Sequence, residues 1–121
     1  MKIINVVGTR PNFIKIAPLM EQMLQVPSIN PILLHTGQHF DENMSQVFFD
    51  QLKISKPNIY LGVGSENSIN LINKIVKRFD PILEREDPDA VLVVGDVNST
   101  LACALAASSR GIPIIHVEAG L

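Results

Sequence analysis

Residues 90–117 read AVLVVGDVNSTLACALAASSRGIPIIHV, and this stretch decides the fold because a strand, a helix and a second strand follow one another in it. Ala90–Val94 is a continuous apolar run, which is typical of a parallel strand covered on both faces. The spacing predicts a helix over Thr100–Ser109 and a second strand over Ile112–Val117. This is the strand–helix–strand unit of a parallel α/β sheet.

The ends of this helix carry their own signals. Asn98 or Ser99 can cap its first turn. Gly111 supplies the left-handed residue that terminates a helix, and Pro113 prevents continuation. Because six of the ten residues of this helix are Ala or Leu, we expect it to be buried on more than one side.

The same alternation runs through the rest of the chain. Apolar and β-branched runs predict strands at Ile3–Val7, Ile32–Leu34 and Ile59–Leu61. Helical spacing of apolar residues predicts helices at Phe13–Leu24, at Asp41–Leu52 and from Ser68 onward.

Prolines mark the predicted helix boundaries. Pro11 stands where a helix takes its first residue, and Pro18 inside the first helix removes one backbone donor and predicts a kink. Asp80-Pro81 is expected to break the helix that starts at Ser68, because a residue before proline avoids the α region. The same pair can instead open a further turn, with Asp80 as its N-cap.

Alternating strands and helices imply right-handed crossovers and an open, doubly wound parallel sheet, so the predicted fold class is α/β. The last predicted strand is followed only by a few residues ending at Gly120-Leu121, with no helix to cover it. We therefore expect residues 1–121 to be an incomplete N-terminal domain of a longer protein.

Composition excludes several classes of protein. The 121 residues are 46% hydrophobic and carry a net charge of −2 without runs of Lys or Arg. This balance argues against disorder, a nucleic-acid partner and an anionic membrane surface. The single cysteine, Cys103, permits no internal disulfide, and no apolar stretch approaches the roughly 20 residues that span a bilayer. We expect a cytoplasmic protein without a membrane partner.

Polar groups follow four of the buried strands. They lie at Gly8–Arg10, His35–His39, Gly95-Asp96 and His116–Glu118. Because ligands of open α/β sheets bind beside the carboxyl ends of the strands, we expect these groups to share one ligand-binding edge.

The first of these turns suits an anion. Gly8 allows a tight bend, and the helix that follows begins with unpaired backbone donors and a positive dipole end. Arg10 precedes that helix and Lys15 can lean back toward Arg10, so the pair favours a diphosphate. Alternatively, both cations are solvated or paired with Asp96 and Glu118. Neither a GxGxxG nor a Walker pattern is present.

Two carboxylates are candidates for proton transfer. Asp96 and Glu118 each follow a buried strand, and different surroundings can separate the pKa values of two carboxyls into those of an acid and a base. Asp96 can alternatively favour the N-terminus of the next helix. His116 precedes Glu118 by two residues and is predicted to lie on the same side.

The other reactive side chains have simpler interpretations. We expect His35 to pack at a strand end, His39 to lie on a surface loop and Cys103 to be a small core residue. The three histidines lack the spacing of a zinc site, so no metal is predicted.

Four motifs stand together in a specific order: GTRPNFIKIAP (8–18), TGQH (36–39), GDVNST (95–100) and HVEAGL (116–121). The chain resembles, over its whole length, the first third of the non-hydrolysing UDP-N-acetylglucosamine 2-epimerases. The resemblance implies a Rossmann-like domain, the first part of a two-domain GT-B architecture whose second domain is absent from this chain.

The resemblance also implies a reaction. Such enzymes interconvert UDP-N-acetylglucosamine and UDP-N-acetylmannosamine by anti-elimination of UDP and its re-addition through 2-acetamidoglucal, without a nicotinamide cofactor or a metal. It assigns Asp96 and Glu118 to catalysis. From their positions at the strand ends and the start of the first helix, we expect Gly8, Arg10, Lys15 and His116 to bind the substrate. The parent enzyme is expected to be a homodimer, and the fragment alone is expected to be inactive.

In some relatives Gln38 and His39 correspond to contacts with a second UDP-N-acetylglucosamine that acts as an activator. Phe40–Asn43 depart from the activator-dependent pattern, and no matching arginine occurs around Glu66-Asn67, so we do not expect a strict need for an activator. Val97 also replaces the threonine usual after the Gly-Asp pair.

Three other functions compete with this interpretation. A hydrolysing epimerase and a GT-B glycosyltransferase share the architecture and differ in their products. A flavodoxin-like phosphoreceiver would need an acidic pair after the first strand and a lysine after the fifth. This chain has Gly-Thr-Arg and His-Val-Glu there, which excludes the phosphoreceiver.

Overall fold

The computed structural model describes residues 1–8, 10–37, 50, 57–63, 68–94 and 98–117. Its strands are β1 (Lys2–Val7), β2 (Asn30–His35), β3 (Ile59–Tyr60), β4 (Ala90–Val94) and β5 (Ile114–Val117). Its helices are α1 (Arg10–Leu24), α2 (Ser68–Glu86) and α3 (Asn98–Ser109). The helix predicted at Asp41–Leu52 lies outside the described residues, except for Asp50.

The described strands form one parallel sheet in the order β3-β2-β1-β4-β5. β1 and β4 lie at its centre, and their apolar side chains are buried because helices cover both faces. The side chains of Ile3 and Val7 pack with α1, whereas those of Ile4 and Val6 pack with α2 and α3. The predicted doubly wound α/β fold is confirmed.

The prediction that Asp80-Pro81 breaks the helix is wrong, because α2 continues through Pro81 to Glu86. An apolar stripe at four-residue spacing crosses the proline, and its members are no more than 2% exposed: Leu71, Ile75, Phe79 and Leu83. Packing of this stripe on the sheet stabilises the helix more than the missing backbone donor destabilises it.

Helix α3 differs from expectation in two respects. It begins at Asn98, two residues before the predicted start. It is also buried on one side only: Ala102, Cys103, Ala106 and Ala107 pack in the core, while Leu101 and Leu105 are each 52% exposed. Its predicted C-terminal stop is confirmed, since Gly111 has a φ of +70°.

In the parts of the chain that the structure describes, no helix has the length and apolar character needed to cross a membrane.

Candidate ligand-binding edge

The strand register brings the carboxyl ends of the strands to one edge of the sheet. Val7 of β1 is aligned with His35 of β2, and Val94 of β4 with Val117 of β5. The order of the strands reverses between β1 and β4, which is where ligands of open α/β sheets bind. Gly8 follows β1 at this switch point.

Asn12 fixes the turn that starts at Gly8. The backbone N–H of Gly8 donates to Asn12 Oδ1 at 3.0 Å, and the Asn12 side chain is buried in the first turn of α1. The Gly8 amide is therefore satisfied by the chain itself, so Gly8 serves the turn. The sequence analysis missed Asn12. Its signal is a short polar residue in the first turn of an otherwise apolar helix.

The two predicted diphosphate ligands lie at the start of α1. The helix begins at Arg10, whose side chain lies outside the described atoms, and Lys15 is half-buried. Phe13 and Ile16 are fully buried on either side of Lys15 in sequence. They anchor this end of the helix on the sheet, so the first turn is held beside the switch point.

Thr100 joins the end of β4 to the start of α3. Its buried hydroxyl donates to the carbonyl oxygen of Val94 at 2.9 Å. This bond ties the end of β4 to the first turn of α3. Asp96, Glu118, Gln38 and His39 themselves lie outside the described residues, so their predicted roles stay predictions.

His35 packs at the end of β2, as predicted. Its ring is 4% exposed and makes edge contacts with Phe13 at 5.1 Å and Tyr60 at 5.2 Å between centroids. Nδ1 accepts a hydrogen bond from the Gly37 N–H at 2.8 Å. Burial lowers the pKa of His35 from 6.5 to about 4, so the imidazole is neutral at physiological pH.

His116 lies on β5 and is exposed. Its register partner is Val93, which packs with α2 and α3, so His116 is on that face of the sheet. Lys15 belongs to α1, which covers the opposite face. The sheet therefore separates these two predicted substrate ligands, and they can approach one ligand only from opposite sides of the edge.

Among the residues that the structure describes, no group of three or more His, Cys, Asp and Glu is placed to hold a metal ion. Cys103 is fully buried in α3, and burial raises the pKa of its thiol. It is a core residue, as predicted.

The fold and this edge define a class: open, doubly wound α/β domains that bind ligands beside the carboxyl ends of their strands. Comparison with known families identifies the family within this class to which the chain belongs. The model of the UDP-N-acetylglucosamine 2-epimerase family matches residues 21–121, and the chain belongs to that family. The family resemblance of the four sequence motifs is thereby confirmed.

Individual relatives agree with this assignment. A UDP-N-acetylglucosamine 2-epimerase homolog of Methanococcus maripaludis is 47% identical over all of this chain, which covers 33% of the relative. The UDP-2,3-diacetamido-2,3-dideoxy-D-glucuronate 2-epimerase of Pseudomonas aeruginosa is 43% identical, with 34% of its length covered.

A solved structure provides the same match in three dimensions. The Methanocaldococcus jannaschii UDP-GlcNAc 2-epimerase, in complex with UDP-GlcNAc and UDP, superposes with a TM-score of 0.90 and 37% identity. The match covers 97% of this chain and 32% of that one. The chain thus spans about one third of the length of these relatives.

Proposed function

We propose that this chain is the first part of an epimerase that interconverts UDP-N-acetylglucosamine and UDP-N-acetylmannosamine. One observation carries the proposal. The start of α1, with Arg10 and Lys15, is anchored at the switch point of the sheet in a chain that belongs to the UDP-N-acetylglucosamine 2-epimerase family.

In the proposed reaction a base removes the proton from carbon 2 of the sugar, and the bond between carbon 1 and the UDP oxygen breaks. A double bond forms between carbons 1 and 2, which gives 2-acetamidoglucal and UDP. UDP then adds back to carbon 1 while a proton returns to carbon 2 from the other face. One acid–base group transfers a proton on each face of carbon 2, and Asp96 and Glu118 are our candidates for these two groups.

The leaving group needs stabilisation of its diphosphate charge as the bond breaks. Arg10, Lys15 and the positive dipole end of α1 supply positive charge for it. His116 and Gly8 complete the proposed binding set, His116 from the β5 side and Gly8 through the turn that Asn12 fixes.

The test uses the full-length protein that contains this chain. We expect Asp96→Asn or Glu118→Gln to lower kcat by at least about 100-fold, because general acid–base catalysis contributes roughly 10²–10⁴. Binding of UDP, measured by calorimetry, should stay close to that of the wild type. Arg10→Ala should instead weaken UDP binding. Near-normal turnover in both carboxylate variants would refute the catalytic assignment.

Analysis of the product separates the alternatives. The proposal requires the UDP-linked mannosamine sugar, whereas a hydrolysing epimerase releases free N-acetylmannosamine and a GT-B glycosyltransferase transfers the sugar to an acceptor. The similarity to the Pseudomonas aeruginosa enzyme favours a second candidate substrate, a UDP-linked diacetamido-glucuronate. Assaying both UDP-sugars side by side decides between them.

We also propose that the full-length enzyme is a homodimer and that residues 1–121 alone do not turn over substrate. The chain covers about a third of its relatives, and a GT-B cleft needs both domains. The isolated chain, assayed beside the full-length enzyme, should give no epimerised product.

A further inference from the structure

A polar residue occupies the buried face of α1 at the end nearest the ligand-binding edge. The apolar members of this face are Phe13, Ile16, Ala17 and Met20, and each is no more than 6% exposed. Asn12 lies one turn before Ile16, so it is on the same face of the helix, and it is also only 6% exposed. A buried amide costs free energy unless it is hydrogen-bonded. An asparagine at this position therefore indicates a specific local interaction.

That interaction ties the end of β1 to the first turn of α1. Asn12 Oδ1 accepts the Gly8 N–H at 3.0 Å in the protein interior. The end of β1 is also tied to β2, since the carbonyl of Val7 accepts the Thr36 N–H at 3.0 Å. Hydrogen bonds are directional and apolar contacts are not. The bond from Gly8 therefore sets the position of the start of α1 relative to β1 more narrowly than the packing of the apolar face does.

The strand on the other side of the switch point is tied to its helix in a similar way. The Thr100 hydroxyl donates to the carbonyl of Val94 at 2.9 Å, and Thr100 is buried. Asn12 and Thr100 are each the third residue of their helices, α1 and α3. Both strands that flank the switch point, β1 and β4, thus have the following helix fixed to their carboxyl ends by a buried side chain.

Gly8 lies at the switch point, and the positive end of α1 is at the same edge of the sheet. We propose that Asn12 is a positioning residue for the diphosphate of a nucleotide sugar: through Gly8 it holds the positive end of α1, together with Lys15, where the diphosphate binds. The inference rests on the proposed function, which assigns the diphosphate to the start of α1. Asn12 is too buried to contact the ligand, so it acts through the helix.

The experiment compares Asn12→Ala with Asn58→Ala in the full-length protein. Asn58 is a matched control, because its Oδ1 also accepts a backbone N–H, that of Leu33 at 2.8 Å. It directly precedes β3, on the far side of β2 from the switch point. We expect Asn12→Ala to raise the Kd for UDP, measured by calorimetry, by roughly tenfold, because a loosened site must be ordered when the ligand binds. Asn58→Ala should bind UDP as the wild type does.

The variant Asn12→Asp tests the role of the acceptor oxygen. A carboxylate oxygen can still accept the Gly8 N–H, so the Gly8 amide should exchange slowly with solvent in this variant and faster in Asn12→Ala. The affinity of Asn12→Asp for UDP should lie between those of the wild type and Asn12→Ala. The turn is kept in this variant, while the added negative charge repels the diphosphate.

The positioning role is overturned if Asn12→Ala binds UDP as tightly as the wild type, or if the Gly8 amide exchanges at the same rate in both proteins. An equal rise in Kd for Asn12→Ala and Asn58→Ala would also overturn it, because a general loss of stability would explain both. A wild type that neither binds UDP nor epimerises UDP-GlcNAc would refute the proposed function, and the positioning role with it. Failure of the positioning role alone leaves turnover of the wild type intact.

Discussion

His35 is a buried titratable residue at the end of β2, on the ligand-binding edge. The rings of Phe13 and Tyr60 contact its imidazole, whose Nδ1 accepts a hydrogen bond from the Gly37 N–H. This bond leaves the proton of the neutral imidazole on Nε2. Among the residues described, Nε2 has no hydrogen-bond partner. Protonation of His35 would place a charge among apolar side chains. It would also remove the lone pair of Nδ1 that accepts the Gly37 N–H.

The lowered pKa of His35 predicts a pH dependence of stability. The folded-state pKa is about 4, below the ordinary 6.5, so between these values the unfolded chain binds a proton that the folded chain excludes. The free energy of unfolding should therefore fall as the pH falls from 6.5 toward 4, by up to about 3 kcal/mol. Urea unfolding at several pH values measures this.

The substitution His35→Asn isolates the contribution of His35 to this pH dependence, because the asparagine amide oxygen can still accept the Gly37 N–H and does not titrate. The variant should lose less stability than the wild type between pH 7 and pH 4.5. Identical pH profiles for the wild type and His35→Asn would show that the fold does not exclude His35 from protonation.

At the scale of elements, α1 and α2 each contain an internal proline, Pro18 and Pro81. Neither ends its helix, because each helix presents a buried apolar face to the sheet on both sides of the proline. In α1 this face includes Ile16 and Met20. In α2, Asp80 also accepts two hydrogen bonds from Arg110, at 2.6 and 2.9 Å, and these bonds lower the Asp80 pKa.

Replacing Pro81 with alanine should stabilise the protein. Alanine restores the missing backbone donor, and Pro81 is exposed, so no packing is lost. We expect the free energy of unfolding to rise by about 1–3 kcal/mol, within the cost of an interior helical proline. Chemical denaturation measures the change, with Pro18→Ala as the parallel variant. A lower stability for Pro81→Ala would mean that the helix needs the proline's geometry at this point.

These elements also show how far sequence reasoning reaches. The strands were predictable because parallel strands buried on both faces are continuous apolar runs, as in Ala90–Val94. The prediction of a helix break at Asp80-Pro81 was wrong because the local preference of a residue before proline is outweighed here by packing of the helix on the sheet. Asn12 was missed because its partner is the backbone N–H of Gly8, and such pairing leaves no pattern of side-chain types in a single sequence.

At the scale of the whole molecule, apolar side chains are exposed on the side of the sheet where β5 forms the edge. Leu101 and Leu105 of α3 are each 52% exposed, and Ile114 and Ile115 of β5 are 36% and 41% exposed. β5 has one paired neighbour, β4, among the described strands. An unpaired strand edge beside exposed leucines favours association with other chains.

We therefore expect the isolated 121-residue chain to self-associate with increasing concentration, which sedimentation velocity measures. The double substitution Leu101→Gln and Leu105→Gln should raise the monomer fraction, because it replaces the exposed apolar surface while glutamine keeps a good helix propensity. Ile14→Gln is the control: Ile14 is 53% exposed but lies on α1, across the sheet. If Ile14→Gln raises the monomer fraction as much as the double variant, association reflects general hydrophobicity, and the β5 side has no special part in it.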